Sequence, residues 1–181
     1  KIIKKSKNKN KFFFILSSML PHKNIKMIED LFLNDSIKTN VKNLIIAGIG
    51  GEKKVFKKNN KKIIYLGKIS EKKKKFLFRN CEAYLFPSKY EGFGIPALEA
   101  QMAGCPVVYA KTSSLPEVMG YDELGYTLDD LTEADQKLQL LEDDIFRKNI
   151  IVKGVNFVSK LTWENSAKLT YKVYKKALNN E

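Results

Sequence analysis

Short apolar runs without polar interruption recur at residues 12–16, 44–47, 63–66, 83–86 and 106–110, with a weaker run at 125–128. Runs of this kind suit strands buried on both faces, the situation inside a parallel sheet that helices cover on each side. Between the runs lie segments with helical spacing. After the first run, Ile25, Ile28, Leu31 and Phe32 share one helix face. Further helices are predicted over 71–80, 132–141 and 143–160, and residues 57–62 read as a polar loop. The alternation predicts an α/β fold, a doubly wound and mostly parallel sheet of about six strands flanked by helices. In such sheets ligands bind beyond the carboxyl ends of the strands, which directs attention to the loops that follow each run.

The chain has 181 residues, 44% of them hydrophobic, enough for one ordinary domain with a real core. We expect that domain over residues 11–181, preceded by a linker or arm of Lys, Asn and Ser at 1–10. A chain that opens at Lys1 without methionine is expected to be a piece of something longer. No apolar run approaches the length that crosses a bilayer. Cys81 and Cys105 sit beside predicted strands and read as reduced, buried thiols, which suits a cytoplasmic setting. The formal charge of +13 comes almost wholly from lysine, since Arg79 and Arg147 are the sole arginines. Nucleic-acid sites lean on arginine forks and aromatic stacking, so that class is disfavoured. A solvated lysine surface is the plain reading, and peripheral attraction to an anionic membrane face is the sharper one.

The most informative stretch is Phe86-Pro87-Ser88-Lys89-Tyr90-Glu91-Gly92-Phe93-Gly94-Ile95-Pro96-Ala97-Leu98-Glu99-Ala100. It reads as the end of a strand, a tight loop, and a helix amino terminus with proline in its first turn. Ile95, Leu98 and Met102 are spaced along one helix face, with Glu99 about one turn inside. Loop amides and the positive end of the helix dipole make an anion site, and the two carboxylates suit hydroxyl groups. Lys23 follows the first strand, a position suited to phosphate, and His22 beside it reads as an exposed turn residue. Gly48-Ile49-Gly50-Gly51 is a plain turn, because Lys53 stands where a dinucleotide fingerprint needs its third glycine. Ser70 is a predicted N-cap, as is Ser114 before a short helix with Pro116 in its first turn. The final helix opens at Trp163, which with Ala167, Tyr174 and Leu178 forms a face expected to pack.

Glu91 and Glu99 form a Glu-x7-Glu pair within EGFGIPALEA, followed by Ala103-Gly104-Cys105-Pro106-Val107-Val108 and Ser114-Leu115-Pro116-Glu117-Val118. This series resembles the nucleotide-sugar-binding half of the retaining GT-B glycosyltransferases of family 4, over about residues 12–178. The resemblance implies the Rossmann-like C-terminal half of a GT-B fold. It implies a UDP-, GDP- or ADP-sugar as donor and an acceptor glycan or lipid-linked glycan, as in surface glycan or glycolipid synthesis. A hexose would be transferred with retention of configuration, without metal or cofactor. The acceptor domain would lie in an N-terminal part of the same or another chain, leaving this piece inactive alone. By resemblance Lys23 and Ser18 hold the diphosphate, the amides of Phe93, Gly94 and Ile95 support it, and Ile69 passes the base. Glu99 takes the ribose hydroxyls, and Glu91 with Lys23 carries catalysis. Ser17 replaces the family's usual glycine, Ser18 stands where arginine or threonine is common, and residues 120–125 depart from Gly-Asp-Ala-Ala. A non-catalytic nucleotide or sugar module of the same fold, or a basic nucleic-acid-binding protein, are the competing readings.

Overall fold

The computed structural model describes residues 11–18, 20–33, 38–48, 50 and 53–179, so the predicted arm at 1–10 lies outside the described residues. Seven strands form one sheet: β1 (Phe12–Leu16), β2 (Asn43–Ala47), β3 (Lys54–Lys58), β4 (Lys61–Tyr65), β5 (Ala83–Phe86), β6 (Val107–Ala110) and β7 (Gly125–Tyr126). Their order across the sheet is β3-β4-β2-β1-β5-β6-β7. All neighbours are parallel except β3 and β4, which pair as an antiparallel hairpin at one edge. That hairpin corrects the expectation of a polar loop at 57–62 and of about six strands. Asn59 takes the left-handed conformation at φ 53° and lets the chain reverse within the turn. Every residue of β3 is exposed and three of its five are lysine, as suits an edge strand guarded against further pairing.

Among the described residues there are seven α-helices: α1 (Ile25–Leu33), α2 (Glu71–Asn80), α3 (Ile95–Met102), α4 (Leu115–Val118), α5 (Leu131–Leu140), α6 (Asp144–Val158) and α7 (Trp163–Leu178). Alternation along β1 explains its unbroken apolar run. Phe13 and Ile15 join one buried cluster with Ile28, Phe32 and Leu138, whereas Phe12 and Phe14 join the other with Phe78, Tyr84 and Leu115. The predicted face of α1 is buried in full. Cys81 and Cys105 are buried thiols with their Sγ atoms 3.1 Å apart.

The buried face of α3 is not the one that its larger apolar residues mark. Ala97, Ala100 and Gln101 face inward while Ile95 and Met102 are exposed. Alanines let the helix approach the sheet closely, and Gln101 binds it down. Its Nε2 donates to Val118 O at 2.9 Å, and its Oε1 accepts from Gly120 N at 2.9 Å. The expectation for α7 is also overturned. Trp163 is 92% exposed, and no residue of this helix is buried. Among the described residues its apolar side chains join neither buried cluster, so aromatic size alone does not bury Trp163. No helix among the described residues is long and apolar enough to cross a membrane.

Candidate functional site

The strand order reverses between β1 and β5, because the chain leaves β1 toward β2 and returns to pair β5 on its other side. At such a switch point the loops after the two strands diverge and leave a crevice at their carboxyl ends. The loop after β1 carries Ser17 and Ser18, then a 3-10 turn at Pro21–Lys23 ended by Asn24 at φ 53°. The loop after β5 carries Glu91. Lys89 N–H donates to His22 O at 2.7 Å, which clamps the two loops together across the crevice. His22 is half-buried in this clamp rather than fully exposed.

Lys23 Nζ reaches Glu91 Oε1 at 2.7 Å, and the two side chains are 21% and 11% exposed. Glu91 is otherwise held by hydroxyls. Ser88 Oγ donates to the same carboxylate oxygen at 2.6 Å, and Glu91 N–H donates to Ser113 Oγ at 2.9 Å. Ser114 Oγ donates to Glu91 O at 2.9 Å, so this hydroxyl fastens the loop and makes no cap bond to α4, contrary to expectation. Thr112 Oγ1 ties the segment further by donating to Ser88 O at 2.7 Å. A loop held at this many points presents its carboxylate in one place before any ligand arrives.

Beneath the crevice, Tyr84 on β5 donates its hydroxyl to Leu16 O at 3.1 Å. Burial raises the pKa of this phenol well above its ordinary value, and the charges of Glu91 and, less strongly, Glu99 add to the rise. Glu99 itself is paired with Lys74 of α2, with Nζ to Oε1 at 2.8 Å.

The loop meets α3 at Gly94, the N-cap, with φ 92°. Among the described residues the amides of Phe93, Gly94 and Ile95 meet no acceptor, which leaves these donors for an anion. Ile69 lies half-buried in the turn between β4 and α2, packed against the second cluster. Ser18 is half-buried at the end of β1, where its carbonyl accepts from Ser17 Oγ at 3.1 Å. Two hollows of about 380 Å³ each flank the loop and helix. One is lined by Tyr90, Glu91, Phe93 and Glu117, the other by Lys74, Phe78, Leu98 and Glu99, and Leu161 borders both. Ser18, Lys23, Ile69 and Glu91 lie in the loops that follow β1, β4 and β5, and Phe93 to Glu99 lead into and form the first turns of α3. Lys74, Tyr84, Ser88 and Ser113 were not foreseen. Each acts through a contact that only the folded chain creates, and of these only Ser88 carried any local signal, beside the loop.

The two loop glycines differ in what they permit. A Cβ on Gly94 would stand 2.9 Å from Leu115 Cδ2, at a φ that side chains rarely adopt, whereas one on Gly92 meets nothing within 4 Å. Gly94→Ala is expected to lower stability by about 1–2 kcal/mol and Gly92→Ala by only a few tenths. Parallel urea titrations of the two variants check this, and equal losses would refute it.

A doubly wound sheet, a cationic side chain and open amides at its switch point, and carboxylates beside them define the Rossmann-like class of ligand-binding α/β domains. Within that class the chain belongs to the glycosyl transferases group 1, whose family model matches residues 1–157. Among relatives it is 36% identical to the O-antigen chain mannosyltransferase B of Escherichia coli over 114 residues, covering 62% of this chain and 30% of that one. The chain therefore spans about a third of the length of that relative. In structure it is similar to the sucrose-phosphate synthase of Thermosynechococcus elongatus, with a TM-score of 0.74 and 17% identity, covering 96% of this chain and 47% of that one. It is also similar to an S. aureus TarM variant in complex with Fondaparinux, α-GlcNAc-glycerol and UDP, with a TM-score of 0.68 and 21% identity, covering 99% and 37%. These likenesses agree with the Rossmann-like C-terminal domain of a GT-B fold.

Proposed function

We propose that this chain is the donor-binding domain of a retaining hexosyltransferase that uses a nucleoside-diphosphate sugar. The observation that carries the reading is the Lys23–Glu91 pair at the switch point, 2.7 Å apart, in the loop that leads into the α3 amino terminus. Lys23 and those amides suit a diphosphate, on which negative charge grows as the sugar–phosphate bond breaks. Ser18 lies on the same side of the crevice and can donate to a phosphate oxygen. This stabilisation needs no metal ion. Glu91, held by Ser88, lines the hollow beside the loop and can orient the hydroxyls of a sugar bound there or the charge that develops at the anomeric carbon. The hydrolase scheme of one acid and one nucleophile does not apply here. Glu99 accepts from the ribose, and the turn at Ile69 borders the base. The mannosyltransferase relative and the UDP named with the TarM variant support a sugar nucleotide as ligand.

The acceptor site belongs to a part of the protein outside this chain, and transfer requires both parts. The acceptor is a glycan or lipid-linked glycan of a surface polymer or glycolipid, and the lysine-rich surface suits peripheral contact with an anionic membrane face. Calorimetric titration with UDP, GDP and ADP tests the reading. One of the three is expected to bind at least ~10-fold more tightly than the others. Absence of heat with all three, for a chain that is folded by circular dichroism, would overturn it.

A further inference from the structure

Glu99 is already engaged before any ligand binds. Lys74 Nζ stands 2.8 Å from Glu99 Oε1 and 2.9 Å from Glu71 Oε2, so one ammonium bridges two carboxylates on neighbouring helices. Within the run Lys72-Lys73-Lys74-Lys75 the other three lysines are exposed, whereas the Lys74 side chain is only 14% exposed. Burial disfavours the charged amine, yet the bonds to Glu99 and Glu71 outweigh it and hold its pKa above the ordinary lysine value. Lys74 is therefore a charged, half-enclosed group in the wall of the hollow that Glu99 also lines.

Two physical consequences follow for a nucleoside beside Glu99. A glutamate on a helix surface samples several rotamers, and fixing one of them on binding costs affinity. The bond from Lys74 fixes the carboxylate beforehand. It also offsets the carboxylate's charge, which would otherwise repel a diphosphate arriving at the α3 amino terminus. We propose that Lys74 is a positioning residue for the nucleoside, holding Glu99 in the orientation that accepts the ribose 2′- and 3′-hydroxyls. This inference rests on the reading of Glu99 as the ribose acceptor.

The test is a titration of the 181-residue chain with the preferred diphosphate of the panel above and with its 2′-deoxy counterpart. The readout is the ratio of the two affinities, which a purely structural lysine would leave unchanged even if stability fell. Wild type is expected to favour the ribonucleotide by about 10-fold, since a hydrogen bond to a charged group is lost with the 2′-hydroxyl. Lys74→Met should reduce that ratio toward unity, and Lys74→Arg should keep most of it. Lys74→Gln serves as the second neutral variant should Lys74→Met not fold. If the neutral variants keep the full ratio, Lys74 has no positioning role, while the reading of Glu99 survives. If wild type itself shows no preference, or Glu99→Gln retains it, the ribose reading fails and the role of Lys74 goes with it.

Discussion

Lys23→Met is expected to weaken nucleoside-diphosphate binding by about 30-fold, or about 2 kcal/mol, while leaving the affinity for the free nucleoside unchanged. The magnitude follows from what the substitution removes. A charge-assisted hydrogen bond to a partly enclosed phosphate is stronger than a neutral one, and the Lys23 side chain is only 21% exposed. The substitution also strips Glu91 of its cation, leaving a carboxylate held by Ser88 alone and repelling the incoming phosphates. Lys23→Arg keeps the charge but not the compact ammonium that fits 2.7 Å from Glu91, and should lose only part of the affinity. Calorimetry with the preferred diphosphate and its nucleoside separates the phosphate contribution from the rest. An unchanged diphosphate affinity in Lys23→Met would remove the cation from the proposed site altogether. The loss should also shrink as salt rises, because part of it is long-range attraction.

Lys23 stands just after the first strand of an alternating α/β pattern, and that position maps to the ligand edge of the sheet before any coordinates are known. Lys74 sits among four consecutive lysines, where sequence carries no sign that one of them turns inward against a helix 25 residues further on. The parallel core strands were legible for a physical reason. A strand covered on both faces must be apolar throughout, and β1, β5 and β6 meet that requirement almost without exception. β3 was invisible because its selection runs the other way, toward lysines that keep an edge from pairing further. Trp163 shows the limit of composition in the opposite sense. An amphipathic helix declares an apolar stripe, but nothing in its own residues says whether this chain supplies the surface to cover it. The stripe of Ile95 and Met102 on α3 carries the same lesson, since close approach to the sheet was reserved for alanines.

The largest stability effect belongs to a residue far from the ligand edge. Arg147→Met is expected to destabilise the domain by about 3 kcal/mol. The guanidinium is anchored at three points: NH1 donates to Glu82 O at 2.7 Å, NH2 lies 3.0 Å from Glu82 Oε2, and Nε donates to Leu141 O at 3.0 Å. The Arg147 and Glu82 side chains are 13% and 9% exposed, so neither charge is well hydrated. Removing the arginine takes away the guanidinium that faces a buried carboxylate, which costs more than the loss of a surface pair. For a domain of this size the expected fall in Tm is about 9 °C. Adding Glu82→Gln to Arg147→Met should restore part of it, because the buried charge goes with the second substitution. A shift of less than about 2 °C in the single variant would mean that solvent reaches Glu82 easily. Glu82 precedes β5 at the end opposite the crevice, with its N–H bonded to Phe12 O at 2.8 Å. Below the transition, then, Arg147→Met should bind the preferred diphosphate as wild type does. Lys23→Met should show the reverse emphasis, with a smaller fall in Tm and a lost affinity. The two variants together separate the ion pair that holds the fold from the one proposed to meet the ligand.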